Sequence, residues 1–93
     1  MLTDTLFKPG AVTATPGAIQ TVRRAGQSVW VFLARHVAGD WGDLDPDDRA
    51  ANDSALRSGG RLLSAYATAL GDRVWVITET DRRSTCVLLP DEY

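Results

Sequence analysis

At Gly59-Gly60 the hydrophobic periodicity of the chain changes, and this switch restricts the fold more than any other feature. Before it, apolar residues recur every three or four positions, in three segments that close on glycine, two of which open on proline. After it, they alternate or run together in short stretches rich in Val, Ile, Thr, Trp and Tyr. Helices therefore come first and strands second, the order of an α+β domain rather than of repeating βαβ units.

The helix boundaries are marked by local chemistry. Thr15-Pro16 starts a helix, because threonine accepts from an orphan N–H and a proline in the first turn loses a donor that had no partner. Ala18, Ile19, Val22 and Ala25 then form a stripe that stops at Gly26, which predicts a helix over Pro16 to Ala25. Ser28 caps a second helix over Val29 to Ala38, in which Val29, Trp30, Phe32, Leu33 and Val37 make a broad apolar face. Asp45-Pro46-Asp47-Asp48 is a third and stronger start, with two carboxylates where the helix dipole favours negative charge. That helix, over Pro46 to Arg57, has only Ala51, Ala55 and Leu56 to bury and is expected at the surface.

Arg61 to Thr68, Arg73 to Thr80 and Ser84 to Leu89 read as strands joined by short loops, and short loops force antiparallel neighbours. The expected architecture is three short helices followed by a three-stranded antiparallel meander, with the helices packed on one face of the sheet. Residues 1–93 form one domain, and residues 1–14 form an extended lead-in that is a candidate edge strand. The expected core contains Ile19, Val22, Trp30, Leu33 and Leu63, with Val74 or Trp75, Val76 or Ile77, and Val87 or Leu88.

Composition excludes several classes. Hydrophobic residues at 44% and charged residues at 24% are ordinary for a folded globular chain. The single cysteine, Cys86, rules out an intramolecular disulfide framework. The first residues lack a charged-then-apolar signal pattern and no stretch approaches a membrane span, so a cytoplasmic location without membrane contact is expected. No cofactor is expected: there is no glycine-rich phosphate loop and no cysteine cluster with zinc spacing.

The formal net charge of −2 conceals an asymmetry: residues 40–53 carry −5 and the rest of the chain +3. Direct nucleic-acid binding is therefore not expected. Asp43, Asp45 and Asp47 match the opening of a calcium loop, but Asp48 stands where that loop needs glycine and Ser54 where it needs glutamate, so no metal site is expected. Asp40, Trp41, Asp43, Asp45, Asp47 and Asp48 are instead the candidate binding residues, a compact negative surface around one large aromatic. Trp41 is either a core plug that closes the loop or an exposed anchor for a partner.

His36 is the only histidine, four residues before Asp40 near the end of the second helix. It is expected to favour the helix C-terminus and pair with Asp40. A catalytic alternative places His36 and Glu79 as proton-transfer groups beside phosphate-gripping Arg61 and Arg82, a metal-independent ribonuclease set. The bland reading of those arginines is that they blunt strand ends.

The segments RHVAGDWGDL, NDSALRSGGRLLSAY, VWVITETDR and VLLPDEY resemble a family of short bacterial proteins often encoded on plasmids and other mobile elements. The resemblance spans about residues 15–93 and brings a context, not a mechanism. A fainter, fold-level similarity is to the barnase, EndoU, colicin and RelE-like nucleases, but the basic surface usual among them is missing and no catalytic set maps residue by residue. The favoured expectation is a protein-binding or inhibitor domain, anti-restriction or anti-CRISPR in type. Its acidic loop would mimic a phosphate backbone toward a host or plasmid-encoded protein with a basic surface. A small ribonuclease or toxin-like enzyme is the alternative.

Overall fold

The computed structural model describes residues 5–93; the first four residues of the lead-in lie outside them. The element order is β1 (Ala11–Ala14), α1 (Pro16–Arg24), α2 (Val29–Val37), α3 (Pro46–Ser58), β2 (Leu62–Ala67), β3 (Arg73–Thr78) and β4 (Ser84–Leu88). Single 3-10 turns at Thr80–Arg82 and Pro90–Glu92 follow β3 and β4.

The α+β class holds, whereas the expected three-stranded antiparallel sheet is corrected to a four-stranded mixed one, in the order β1-β4-β3-β2. The antiparallel meander of β2, β3 and β4 is present within it. The added strand comes from the lead-in and runs parallel to β4, with Ala11 opposite Ser84 and Ala14 opposite Val87. The lead-in is thus the edge strand for which it was a candidate. Its parallel pairing with β4 leaves no local signal, because that pairing is fixed only once the helices have folded back.

All three helices carry the caps their sequences announce. The hydroxyl of Thr15 accepts from Ala18 N, that of Ser28 from Trp30 N, and the carboxylate of Asp45 from Asp48 N. At the other end of α3, Gly59 adopts the left-handed conformation that closes a helix. Arg82 supports the same end: its guanidinium donates to the carbonyls of Ala55 and Gly60. To reach them it sits in a tight turn in which both Asp81 (φ 71°) and Arg82 (φ 59°) are left-handed, a costly conformation for residues with a Cβ.

The inner face of the sheet presents Val74, Val76 and Val87 with Tyr66 against Ala18 and Val22 of α1 and Phe32, Leu33 and Val37 of α2. Two expected core residues are corrected here: Ile19 is 38% exposed and Trp30 is 62% exposed. In α2 the inward positions are 29, 32, 33, 36 and 37, a strict helical stripe from which position 30 is excluded whatever its size. In α1 the stripe is Ala18, Thr21 and Val22, so the small polar Thr21 is turned inward and Ile19 outward. Leu63 and Trp75 are half-buried on the other face, where the chain end folds back and Tyr93 sets its ring against Trp75 beneath the Arg61 guanidinium.

The helices do not all cover one face. α1 and α2 do, while α3 runs along the free edge of β2. There Asn52, almost fully buried, acts as one more rung of the ladder: its amide donates to Leu63 O at 2.7 Å and its carbonyl accepts from Leu63 N at 3.1 Å. Two residues along the same edge, Ala65 N donates to Trp41 O and Ala65 O accepts from Asp43 N. The loop between α2 and α3 thus pairs with the edge through a bridge at Gly42, where a Cβ would collide with the Ala65 carbonyl and the Tyr66 ring. Replacing Asn52 by alanine strands two backbone groups where water has little access, so urea unfolding is expected to show a loss of about 2 kcal/mol. Asn52→Asp is expected to lose at least as much, because a carboxylate would face the Leu63 carbonyl. A change below about 0.5 kcal/mol, the range of ordinary surface substitutions, would contradict this account of the edge.

Candidate functional site

The acidic segment is built mainly from internal contacts. Asp40 takes the Arg35 guanidinium at 2.7 Å and accepts from Gly42 N at 3.1 Å. Arg35 first, and then that backbone bond, hold its carboxyl below the usual carboxylate range despite partial desolvation. The backbone carbonyl of Asp40 accepts from the Tyr66 hydroxyl at 2.6 Å, and Arg35 lies over the Tyr66 ring. Asp43 pairs with Arg73 at 3.1 Å, an exposed and hence weak ion pair. Asp45 is the α3 cap, and Asp53 accepts from the Trp41 indole N–H at 3.2 Å. Arg49 leaves the carboxylates alone and instead donates to the carbonyls of Gly42 and Leu44.

Trp41 is 4% exposed, so of the two readings it is the plug. It packs with Ala55 and Leu62 under α3, stacks near Phe7 and sets an edge toward His36. Of the candidate binding residues, Asp47 and Asp48 alone are exposed with no side-chain partner among the described residues. Among those residues, no group of three or more histidines, cysteines or carboxylates is placed to hold a metal ion.

The catalytic alternative scatters. His36 does not pair with Asp40, because it belongs to the inward stripe of α2 and Arg35, one position outward, takes the carboxylate. Its ring is fully buried, flanked by Phe7 and Trp41, with both nitrogens in use. Nδ1 lies 2.5 Å from the Ser64 hydroxyl and Nε2 2.9 Å from that of Thr78. Thr78 lies 2.7 Å from the Thr85 hydroxyl, which donates to the carbonyl of Pro9 at 2.7 Å.

Because a carbonyl only accepts, the proton of Thr85 is committed to Pro9, that of Thr78 to Thr85, and the Nε2 proton to Thr78. The imidazole is therefore the neutral Nε2–H tautomer, and Ser64 donates to Nδ1. Arg82 is occupied with the end of α3, and Arg61 lies beside Glu79 at 3.6 Å, on the exposed side of the sheet end. With the imidazole buried and Arg61 and Glu79 at the exposed end of the sheet, the structure does not gather these four side chains on one exposed surface.

What sequence reasoning missed lies on α1 and α2. A groove of about 250 Å³ between them is lined by Ile19, Val22, Arg23, Gln27, Ser28 and Val29. A second depression, on the outer side of α1, is lined by Gln20, Arg23 and Arg24. The two arginines form no ion pair among the described residues. Beyond Val29, Trp30 and Val31 stand outward at 62% and 46% exposure. The signal was present in the spacing: the stripe 29, 32, 33, 36, 37 leaves Trp30-Val31 outside it.

No protein-family model, curated protein or solved structure matched this chain.

Burial, and secondarily the charge of Arg82, pushes the His36 imidazole down to about 4 from its ordinary 6.5. The unfolded chain takes up this proton below about pH 6.5 and the folded one only near pH 4. Stability is therefore expected to fall by about 3 kcal/mol as pH drops through that window, in addition to any carboxylate effects. As the chain has one histidine, its ring signals in an NMR titration report this directly. A midpoint close to 4 is expected, and one near the ordinary value would show the ring to be solvated.

Proposed function

We propose that this chain is a non-catalytic protein-binding domain of the mobile-element inhibitor type, and that it binds through the outward surface of α1 and α2. The observation that carries this reading is Trp30, the largest side chain type, standing 62% exposed one residue after Val29, which lines a groove with Ile19 and Arg23. Tryptophan and arginine are the residues most enriched at binding hot spots, and an aromatic anchor together with guanidinium groups that form no ion pair among the described residues suits a partner that offers an apolar pocket with acidic rims. The resemblance to plasmid-borne proteins suggests a host defence or regulatory protein as that partner.

A second reading keeps the acidic surface expected from the sequence. Asp47 and Asp48 stand exposed on the first turn of α3, with no side-chain partner among the described residues, and would steer a basic partner. The contact area would be smaller than the sequence suggests, because Trp41 is buried and Asp40, Asp43, Asp45 and Asp53 have internal partners.

Affinity capture from lysate of a bacterium carrying such elements, followed by titration of the captured protein, separates the two. Ile19→Ala with Trp30→Ala is expected to weaken binding at least about tenfold. Because both side chains are already exposed, the thermal midpoint should stay within about 3 °C. Asp47→Lys with Asp48→Lys should leave affinity nearly unchanged; the opposite pattern would transfer the contact to the acidic tip. Full binding by both double variants would sink the proposal in either form, and RNA cleavage by the purified chain that His36→Ala abolishes would restore the enzyme.

A further inference from the structure

The two edges of the sheet are treated differently. On β2 the outward-facing backbone groups of Leu63 and Ala65 are all paired, by Asn52 and by the Trp41–Asp43 loop. On β1 the ladder to β4 uses Ala11 N, which donates to Arg83 O, and Thr15 N, which donates to Val87 O. In a parallel ladder alternate residues face the partner, so the N–H and C=O groups of Val12 and Ala14 point away from the sheet. Among the described residues nothing pairs with them.

Natural edges are usually blunted by charge, proline or a bulge. The stretch AVTA has none of these. Its side chains leave the core open as well: Val12 and Ala14 pack against the inner cluster but stay only partly buried. A strand with free hydrogen-bonding groups, half-covered apolar side chains and no charge is a template for another strand.

We propose that β1 pairs antiparallel with β1 of a second copy of this chain, giving a two-fold symmetric dimer with one continuous eight-stranded sheet. The occupant follows from self-complementarity. With the two-fold axis at Thr13, Val12 of one copy faces Ala14 of the other, and each such pair exchanges both of its N–H···O bonds. Directly opposed residues share a face, so Val12 and Ala14 of the second copy extend the apolar layer that each copy leaves open. The absence of charge in AVTA means that self-pairing brings no like charges together, and a closed two-fold arrangement uses up the edge in both copies. The register is bounded on one side by Pro16, which has no N–H, and on the other by the turn at Gly10.

The register makes a specific demand at Thr13, which is exposed on the opposite face and stands across the axis from its own copy. Sedimentation of the full chain over a concentration series is expected to approach twice the chain mass of 10.1 kDa. Thr13→Lys and Thr13→Glu should each sediment as monomers with unchanged circular dichroism, because each sets like charges face to face. Mixing the two variants should restore the dimer. Ala14→Pro, which removes an outward N–H and leaves the ladder to β4 intact, should also be monomeric. A parent chain that stays at 10.1 kDa at every concentration overturns the proposal. So does a dimer indifferent to Thr13→Lys, or a lysine and glutamate mixture that fails to re-associate.

Discussion

The hydrogen-bonded chain from Ser64 through His36, Thr78 and Thr85 to Pro9 joins α2, three strands and the lead-in at the centre of the molecule. Each donor has one acceptor and no buried side-chain polar atom among the described residues is left without a partner. Such a network contributes modestly when complete and is expensive when broken, because each freed group carries its full desolvation cost. Its larger effect is on specificity. Ser64 and Thr78 meet the imidazole, and Thr85 meets Thr78, only because the strand register puts all three on the inner face, and a slip of one residue would turn any of them outward. The aromatic cover from Phe7 and Trp41 keeps water from competing for the ring.

The same economy explains the acidic loop. A protein of this size has a small core, and α3 contributes little to it beyond Ala55 and Asn52. The loop before α3 compensates by inserting Trp41, tying Asp40 to Arg35, and pairing with the edge of β2. A run of negative charge that looks like a binding surface in sequence is thus mostly the set of caps and ties that hold a short loop against a strand. The charge remains in the field of the molecule, but the groups free to meet a partner reduce to the first turn of α3.

Helix limits were legible to within a residue or so, because caps and glycine stops act locally. The meander was legible for the same reason: short loops leave antiparallel neighbours as the only option. That the lead-in could supply an edge strand was legible too, but its place beside β4 and its parallel sense were not, since that partner is supplied by residues at the other end of the chain. The place of His36 was misread because the spacing to Asp40 suggests a helix-end pair, while the stripe through positions 29, 32, 33 and 37 turns it inward; two local rules competed and burial of the apolar face won. Trp30 failed in the opposite sense, because its size argued for burial and its angular position on the helix decided against it. Of the expected binding residues, sequence reasoning could see the charge of Asp40 and Asp43 but not Arg35 and Arg73 beside them, the second of which comes from a distant strand.

A division between the two halves of the fold follows. In the C-terminal half, Asn52, the Trp41 loop and the Arg82 guanidinium satisfy the edge of β2 and the end of α3, and Tyr93 covers Trp75. In the N-terminal unit of β1, α1 and α2, the corresponding groups have no partner among the described residues: the outward backbone of β1, the exposed side chains of Ile19, Trp30 and Val31, and the guanidinium groups of Arg23 and Arg24. Exposed hydrophobic surface and free edge groups both promote unwanted association, so leaving them uncovered is costly unless something occupies them. Thr15 joins the end of β1 directly to the cap of α1, and Glu92 holds that junction by accepting from the Thr15 hydroxyl. The open strand and the open helix face are therefore fixed to one another through a single capped turn, and anything bound at the edge is presented beside the helix that carries Ile19 and Arg23.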